Sequence, residues 1–432
     1  MADAGSWSER TLVADIGDRR GREVTVAGWV HRVRSLGRVA FVLLRDRSGI
    51  AQLVFPGSVD LSSESVITVT GTVEANDRAP GGFEVQVTGH RVLSTAATDL
   101  PLAVNGRPEN LSLDAQLDHR MLALRIPKLL DVFKVQATIV EGFARHLRGE
   151  GFTEIKTAKL IGSGTEGGTG LFAVRYFDRD VFLAQSPQLY KQAMVASGLE
   201  RVFEIGHAYR AEKHDTPRHL NEYVSLDVEM AFIDSEHDLM DLEQRILKTI
   251  FAAIAERNGR ELDAWGASVP APEAVDALPR LNHDQALELA SELLGRRVYE
   301  VSPEVERELC SWAEREHGAD GCFVYGDPRR KRPFYTHPAP DGKTMSFDLL
   351  FRGVEITTGG RRIEQHDLLA ESIEANGLST ESLADYLSVF RYGCPPHGGF
   401  AIGLERLTQK VLGLESVKEA ALFPRDRKRT RP

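Results

Sequence analysis

Three stretches far apart in the chain set charged side chains into apolar, strand-like runs. The first runs from Phe203 through Arg210, Glu212, Arg218 and His219 to Tyr223, Asp227 and Glu229. The second holds Asp348, Arg352, Glu355, Thr358, Arg361 and Arg362, and the third is PPHGGFAIGLERL with His397, Glu405 and Arg406. Charges in half-buried strands are unfavourable unless they are paired or face a ligand. Arginines can hold phosphate or carboxylate through two parallel bonds, and carboxylates can hold an ammonium or a hard cation. Alternation along a strand puts Arg210 and Glu212 on one face, and likewise Asp227 and Glu229. A structural ion-pair network would gather charge in the same way. Three such strands in one domain weigh toward a ligand site.

A fourth stretch, Gly162-Ser-Gly-Thr-Glu-Gly167, has the G-x-G-x-x-G spacing of a dinucleotide turn. That motif needs a helix after it and an acid about twenty residues on. Here GTGLFAVRYFDRDVFLA follows and reads as strands, and Gln185 stands near the place of the acid. A glycine-rich loop over a pocket is the expected reading.

The elements that must position these residues fall into two parts. Residues 22–98 hold EVTVAGWV, AFVLLRD, IAQLVF, SVITVTGTV and FEVQVTGHRVL, separated by turn residues. Five short strands rich in Val, Ile, Phe and Thr predict a small OB-type barrel over residues 1–98, a fold that often binds single-stranded nucleic acid. Residues 99–125 are polar and proline-containing and read as a hinge or linker. A long helix should start at Pro127 and end at Gly149 or Gly151. From 126 to 432, strands and helices without regular βαβ alternation predict an α+β domain, an antiparallel sheet flanked by helices. GGFAIGLERL is read with the strands, and residues 262–320 as a helical insertion without site chemistry.

Composition bounds the rest. With 42% hydrophobic and 27% charged residues in 432, two or three globular domains are expected. No apolar run is long enough for a membrane span, and MADAGSWSER does not read as a signal peptide, so a cytoplasmic protein without membrane partners is expected. Cys310, Cys322 and Cys394 are too scattered for a disulfide framework or a cysteine zinc site. A net charge of −10 argues against coating nucleic acid non-specifically. It leaves room for a local basic face: eight arginines against Glu23 and Asp46 lie between Arg19 and Arg47, and RDRKRTRP closes the chain. A solvated face is the plain alternative for that cluster.

YRAE at 209–212 and GLER at 403–406 resemble motifs 2 and 3 of class II aminoacyl-tRNA synthetases. GTEGG…LAQSPQLYKQ (164–192), RHLNEY…SLDVEMAF, PPHGGFAIGLERL and FPRDRKR are similar to the archaeal-type aspartyl-tRNA synthetases, over nearly the whole chain. The resemblance implies that ATP and L-aspartate form an aspartyl-adenylate, with Mg2+, and that aspartate passes to tRNA. It implies catalytic roles for Arg210, at the α-phosphate and the substrate carboxylate, and for Arg406, at the γ-phosphate. ATP would also be held by Glu212, Arg218, His219, Tyr223 and Glu355, with Glu212 on the adenine amino group and Tyr223 stacked on the ring. Asp348, Glu355 and Thr358 would hold Mg2+. Aspartate would be held by Glu166, Gln188, Lys191, Arg210, Asp227, Thr358 and Arg362, the cations taking its side chain and the acids its ammonium. An unpaired Lys191 facing a neutral amide would be penalised, which favours aspartate over asparagine.

In the barrel, Phe41, Gln52 and Glu84 match positions used against the anticodon, by stacking and by hydrogen bonds to base edges. The arginine cluster then becomes a phosphate-contacting face. His31 and Pro80 match the type that charges both tRNA(Asp) and tRNA(Asn), which implies a partner amidotransferase. A homodimer is implied too, although Ala158 replaces the motif 1 proline and could loosen the interface strand. Ala401 stands where a glycine is common and would press on the ATP floor. An asparaginyl enzyme, a non-catalytic or specialised paralogue, and a truncated asparagine-forming relative are the alternatives. Lys191 argues against the first, Arg210 and Arg406 against the second, and the barrel against the third.

Overall fold

The computed structural model describes residues 10–162, 170–213 and 215–432, in two units, Met1–Ile126 and Pro127–Pro432. In the first, β1 (Glu23–Ser35), β2 (Val39–Arg45), β3 (Ile50–Pro56), β4 (Val66–Ala75) and β5 (Phe83–Ser94) close a barrel in the order β1-β2-β3-β5-β4. Strict alternation in β2, β3 and β4 sends Val42, Leu44, Leu53, Ile67, Val69 and Val73 inward. The β4–β5 turn is NDRAPGG, where Gly81 and Gly82 take φ of 74° and 79°, a region that suits glycine. The stretch read as a linker is not structureless. It carries α1 (Leu113–Asp118) and α2 (Arg120–Ala123), and the Ser112 side chain caps the first by accepting from Ala115 N at 3.2 Å.

The second unit begins with α3 (Pro127–Gly149), whose first residue is the proline that presets helical φ. After β6 (Thr153–Glu154), the segments β7 (Leu160–Ile161), β8 (Ala173–Tyr176) and β9 (Arg179–Leu183) make a small sheet in the order β7-β9-β8. Strands thus follow the glycine-rich stretch, as expected; Gly164, Glu166 and Gly167 lie outside the described residues. Then come α4 (Gln188–Met194), β10 (Arg201–Tyr209), β11 (Glu222–Ala231), and α5 (Glu236–Arg257) behind a Ser235–Asp238 capping box. They are followed by α6 (Gly259–Trp265), α7 (Pro272–Asp276), β12 (Arg280–Asn282), α8 (His283–Leu294), α9 (Pro303–His317) and β13 (Gly321–Tyr325). The chain ends with β14 (Ser346–Phe351), β15 (Val354–Arg361), α10 (His366–Ala375), α11 (Ala384–Phe390), β16 (His397–Gly403) and α12 (Leu404–Leu412).

Among the described residues the main sheet has eight strands, ordered β12-β13-β14-β15-β16-β11-β10-β6. It is antiparallel except for the parallel pairs β12–β13 and β10–β6 at its ends. Ile139 and Phe143 of α3, Ile246 and Ile250 of α5, and Leu407 and Val411 of α12 share one core with Phe203, Val228 and Phe400 of the sheet.

Two expectations are corrected. The GLERL segment is helical, because the strand stops at Gly403 and α12 starts at Leu404. The 262–320 insertion is not a separate helical body, because its β12 pairs with β13 and extends the main sheet. Cys310 and Cys322 are buried free thiols, and Cys394 is a half-buried one.

Glu243 of α5 lies fully buried under this sheet. Thr357 Oγ1 donates to its Oε1 at 2.6 Å, and among the described residues Oε2 finds no partner. Burial pushes its carboxyl up to about 8. The folded state therefore keeps a proton that the unfolded chain releases in the ordinary glutamate range, and stability falls as pH rises toward 8. Glu243→Gln should have near wild-type stability at about pH 5 and a higher melting temperature than wild type at about pH 9. Thermal unfolding at both values checks this; equal gaps at the two would contradict it.

Candidate active site

One cavity opens at the end of the strands β10, β11, β15 and β16. Arg210, Glu212, Arg218, His219, Tyr223, Glu355, Thr358 and Arg406 all line it. Arg210 and Glu212 reach it by a different route from strand alternation. The strand β10 ends at Tyr209, and Glu212 N donates to Arg210 O at 2.8 Å, so a tight turn aims both. Arg210 N also donates to Asn221 O at 2.9 Å, closing the base of the β10–β11 loop. Its guanidinium carbon lies 5.6 Å from the Tyr223 ring centroid. On the other wall, Arg406 Nη1 donates to Glu355 O at 2.9 Å, and Thr358 Oγ1 lies 3.3 Å from Glu355 Oε1. Ala401 is paired with both Asp227 and Thr358 and lines the cavity. Glu405 is structural here: both oxygens accept from Val224 N at 3.1 Å, and burial pushes its carboxyl up to about 7.

The insertion carries a residue that sequence reading missed. Glu306 of α9 pairs with Arg218 and accepts from Glu355 N at 3.2 Å. Burial raises its carboxyl despite Arg218. Nothing local announces a contact between residues 88 positions apart.

Asp348 has a partner that was not foreseen. Arg332 holds both of its oxygens, at 2.9 and 2.6 Å, and also Asp327 at 2.5 Å. Asp348 faces Thr358 across the β14–β15 pairing but does not line the cavity. Among the described residues, no three His, Cys, Asp or Glu side chains gather as a metal cluster. Glu355 Oε1 and Thr358 Oγ1 are hard oxygen donors beside arginines that suit phosphate. That set fits Mg2+, which takes one or two carboxylates and completes its shell with phosphates and waters.

Beneath the cavity lies a buried cluster of charge. Asp227 and Glu229 alternate inward from β11, at 2% and 0% exposure. Lys191 of α4, 2% exposed, sits 3.0 Å from Asp227 Oδ1 and 3.2 Å from Glu229 Oε2. Arg362 Nε donates to Glu229 Oε1 at 3.0 Å, and its Nη2 to Gln188 Oε1 at 3.1 Å and Gly399 O at 2.9 Å. Burial works to raise Glu229, and Arg362 and Lys191 more than offset it, holding its carboxyl below the usual range. A side chain at Gly399 would place Cβ 2.3 Å from Glu229 Oε2, so only glycine fits there. The structure therefore brings together Gln188, Lys191, Asp227 and Arg362, while Glu166 lies outside the described residues.

Glu229 was seen as a charge but assigned no role, although its place two residues after Asp227 signalled the shared face. The Lys191 ammonium is matched by both carboxylates, Asp227 and Glu229. Gln192 and Tyr386 support it: Gln188 Nε2 and Tyr386 Oη both donate to Gln192 Oε1, at 3.0 and 3.1 Å. Gln192 follows Gln188 by one helical turn, a spacing that could have marked it.

In the barrel unit, Phe41 of β2 and Gln52 of β3 share the outward face. Gln52 is paired with Glu84 of β5, and Glu84 accepts from Gln52, Asn76 and Gln86 at 2.8, 2.6 and 2.9 Å. Pro80 is exposed in the turn before β5. His31 stands at a bulge in β1 with Nδ1 2.9 Å from Arg45 Nη1, and burial pushes its pKa down. Arg45 is the exception in the arginine cluster. It is buried against Glu64 at 2.7 Å, while Arg19, Arg20, Arg22, Arg32, Arg34, Arg38 and Arg47 are exposed.

Comparison with known proteins places this geometry. The family of class II tRNA synthetases (D, K and N) matches residues 112–427, and the OB-fold nucleic acid binding domain matches residues 24–93. The aspartate–tRNA(Asp/Asn) ligase of Thermus thermophilus is 48% identical over 98% of this chain and 100% of its own. The aspartate–tRNA(Asp) ligase of Pyrococcus horikoshii is 42% identical over 95% of this chain and 97% of its own. Among solved structures, asparaginyl-tRNA synthetase from Pyrococcus horikoshii with asparaginyl-adenylate superposes with a TM-score of 0.90 at 31% identity, covering 98% of this chain and 100% of that one.

Removing one member of a buried, balanced cluster strands the others. Glu229→Ala should lower folding stability by about 3–5 kcal/mol, measured by denaturant unfolding. A loss below about 1 kcal/mol would mean that the cluster is hydrated rather than buried.

Proposed function

The chain belongs to the class II tRNA synthetases of the aspartate, lysine and asparagine group, and we propose that it joins L-aspartate to tRNA(Asp) and tRNA(Asn) at the expense of ATP. The observation that carries this reading is the cavity of cations and an aromatic ring directly above the buried Lys191–Asp227–Glu229–Arg362 cluster.

In the first step an aspartate α-carboxylate oxygen attacks the α-phosphorus of ATP, and pyrophosphate leaves. Little covalent work falls to the protein in such a reaction; positioning and charge neutralisation lower the barrier. Tyr223 stacks on adenine and Glu212 accepts from its amino group. Arg210 holds the α-phosphate and the attacking carboxylate together. Arg218, His219 and Arg406 take the departing phosphates, and Arg218 must exchange Glu306 for phosphate to do so. Glu355 and Thr358, with Asp348 as a further donor, would hold Mg2+, which would supply neutralisation of the phosphate charge. Below, Arg362 and Lys191 hold the aspartate side chain, while Asp227 and Gln188, with Glu166, take its ammonium. Thr358 closes the side of this pocket. In the second step a terminal ribose hydroxyl of tRNA attacks the carbonyl carbon, and AMP leaves. A second cavity beside Glu212, with Phe172 and Tyr209 for stacking and Lys213 and Arg427 for phosphate, suits that single-stranded end.

The barrel reads the anticodon: Phe41 stacks on a base, and Gln52 and Glu84 bond to base edges. The exposed arginines from Arg19 to Arg47 face phosphate. His31 and Pro80 leave the third base loosely specified. The Asp/Asn naming of the Thermus thermophilus relative supports dual charging. Asp-tRNA(Asn) then requires an amidotransferase. A homodimer and a cytoplasmic site of action belong to the same reading; among the described residues no helix is long and apolar enough to cross a membrane. The likeness to an asparaginyl enzyme keeps asparagine as the second reading.

Charging of purified tRNA(Asp) and tRNA(Asn) with labelled aspartate should succeed for both. Charging of tRNA(Asp) alone would remove tRNA(Asn) and the roles of His31 and Pro80. Arg210→Ala should cut kcat/KM for ATP–pyrophosphate exchange by on the order of 100-fold or more; unchanged exchange would rule out its role.

A further inference from the structure

The described residues between β10 and β11, 210–213 and 215–221, belong to no helix or strand, and they carry Glu212, Arg218 and His219 into the cavity. A loop of this kind holds one shape only through contacts from outside it. The C-terminal stretch supplies them at several points. Val417 N donates to Pro217 O at 2.9 Å, and Asn221 N to Arg425 O at 2.8 Å. Leu220 packs on Val417 and Ala421. Between these, Lys418 Nζ lies 2.7 Å from Asp215 Oδ1 on the loop and 2.7 Å from Asp426 Oδ2 on the tail.

Asp426 is itself fixed, because its Oδ1 accepts from Lys428 N and Arg429 N at 2.7 and 2.8 Å. Lys418 therefore ties a rigid acid to a loop acid. Its side chain is only 14% exposed, unlike Lys428, which reaches Asp215 at 3.2 Å with 81% exposure. Burial works to lower the Lys418 ammonium, and Asp215 and Asp426 more than offset it. An exposed pair contributes little, whereas a shielded, twice-bonded one holds its geometry.

We propose that Lys418 is a positioning residue for ATP, a clamp that presents Arg218 and His219 to the phosphates by gripping Asp215. It touches no substrate. The inference rests on the reading of the cavity as the ATP site. Of the aspartate residues, Gln188, Lys191, Asp227 and Arg362 lie on α4, on β11 and just after β15, and Arg210, at the base of the loop, is fixed apart from Asp215 by donating its N–H to Asn221 O at 2.9 Å. Loss of the clamp should therefore fall on ATP and spare aspartate.

The test uses full-length protein in aspartate-dependent ATP–pyrophosphate exchange, with ATP binding measured by calorimetry alongside. Lys418→Met and Asp215→Asn should each raise the KM for ATP by about five- to tenfold, as expected for loss of one shielded ion pair. The KM for aspartate and the melting temperature should stay near wild type. Lys418→Arg should recover most of the loss, and the double variant should be no worse than either single one. A wild-type KM for ATP in both single variants would overturn the clamp and leave the proposed function standing. So would an equal rise in both KM values, which marks a general structural role. Wild-type protein that neither exchanges nor binds ATP would overturn the proposed function and the clamp with it.

Discussion

Glu229 is the residue around which the catalytic unit is arranged. A carboxylate at 0% exposure in the middle of a sheet survives only if cations reach it. Lys191 and Arg362 do so from α4 and from the end of β15, and Asp227 balances the second of their charges. This requirement fixes much else. It sets the face of β11, orients α4, excludes any side chain at Gly399, and brings β16 close enough for Gly399 O and Phe400 O to accept from the two cations. In the proposed reading an aspartate entering such a site meets charges already ordered, so little reorganisation remains when it binds.

The cavity above it, proposed to take ATP, is built on another plan. Its walls are the exposed ends of the same strands and a long loop, and its cations are partnered by acids that phosphate can replace: Glu306 on Arg218 and Glu355 on Arg406. A cavity that admits and releases a large anion needs this looseness, and the tail at 417–429 limits it. In the proposed reading the rigid half selects the amino acid while the adjustable half takes and discharges the nucleotide.

Much of this was legible in the sequence for local reasons. The five barrel strands showed in the alternation of Val, Ile and Phe; the start of α3 showed at Pro127; and Arg210, Glu212 and Arg406 stood in the YRAE and GLER motifs. What stayed hidden depends on contacts distant in sequence. The Glu306–Arg218 pair, the Arg332 grip on Asp348, and the β12–β13 pairing that draws the insertion into the sheet have no periodicity to betray them. Ser112 was a capping residue in plain view, yet the polar stretch around it concealed two short helices. Glu229 lay between: its alternation with Asp227 gave the face, and only the fold gave its cations.

In the proposed reading the balanced cluster around Glu229 selects aspartate. The most direct measurement is ATP–pyrophosphate exchange by the wild-type protein with aspartate or asparagine as the only amino acid. Exchange should appear with aspartate and stay at background with asparagine at equal concentration. Exchange driven as well by asparagine, or by asparagine alone, would contradict it.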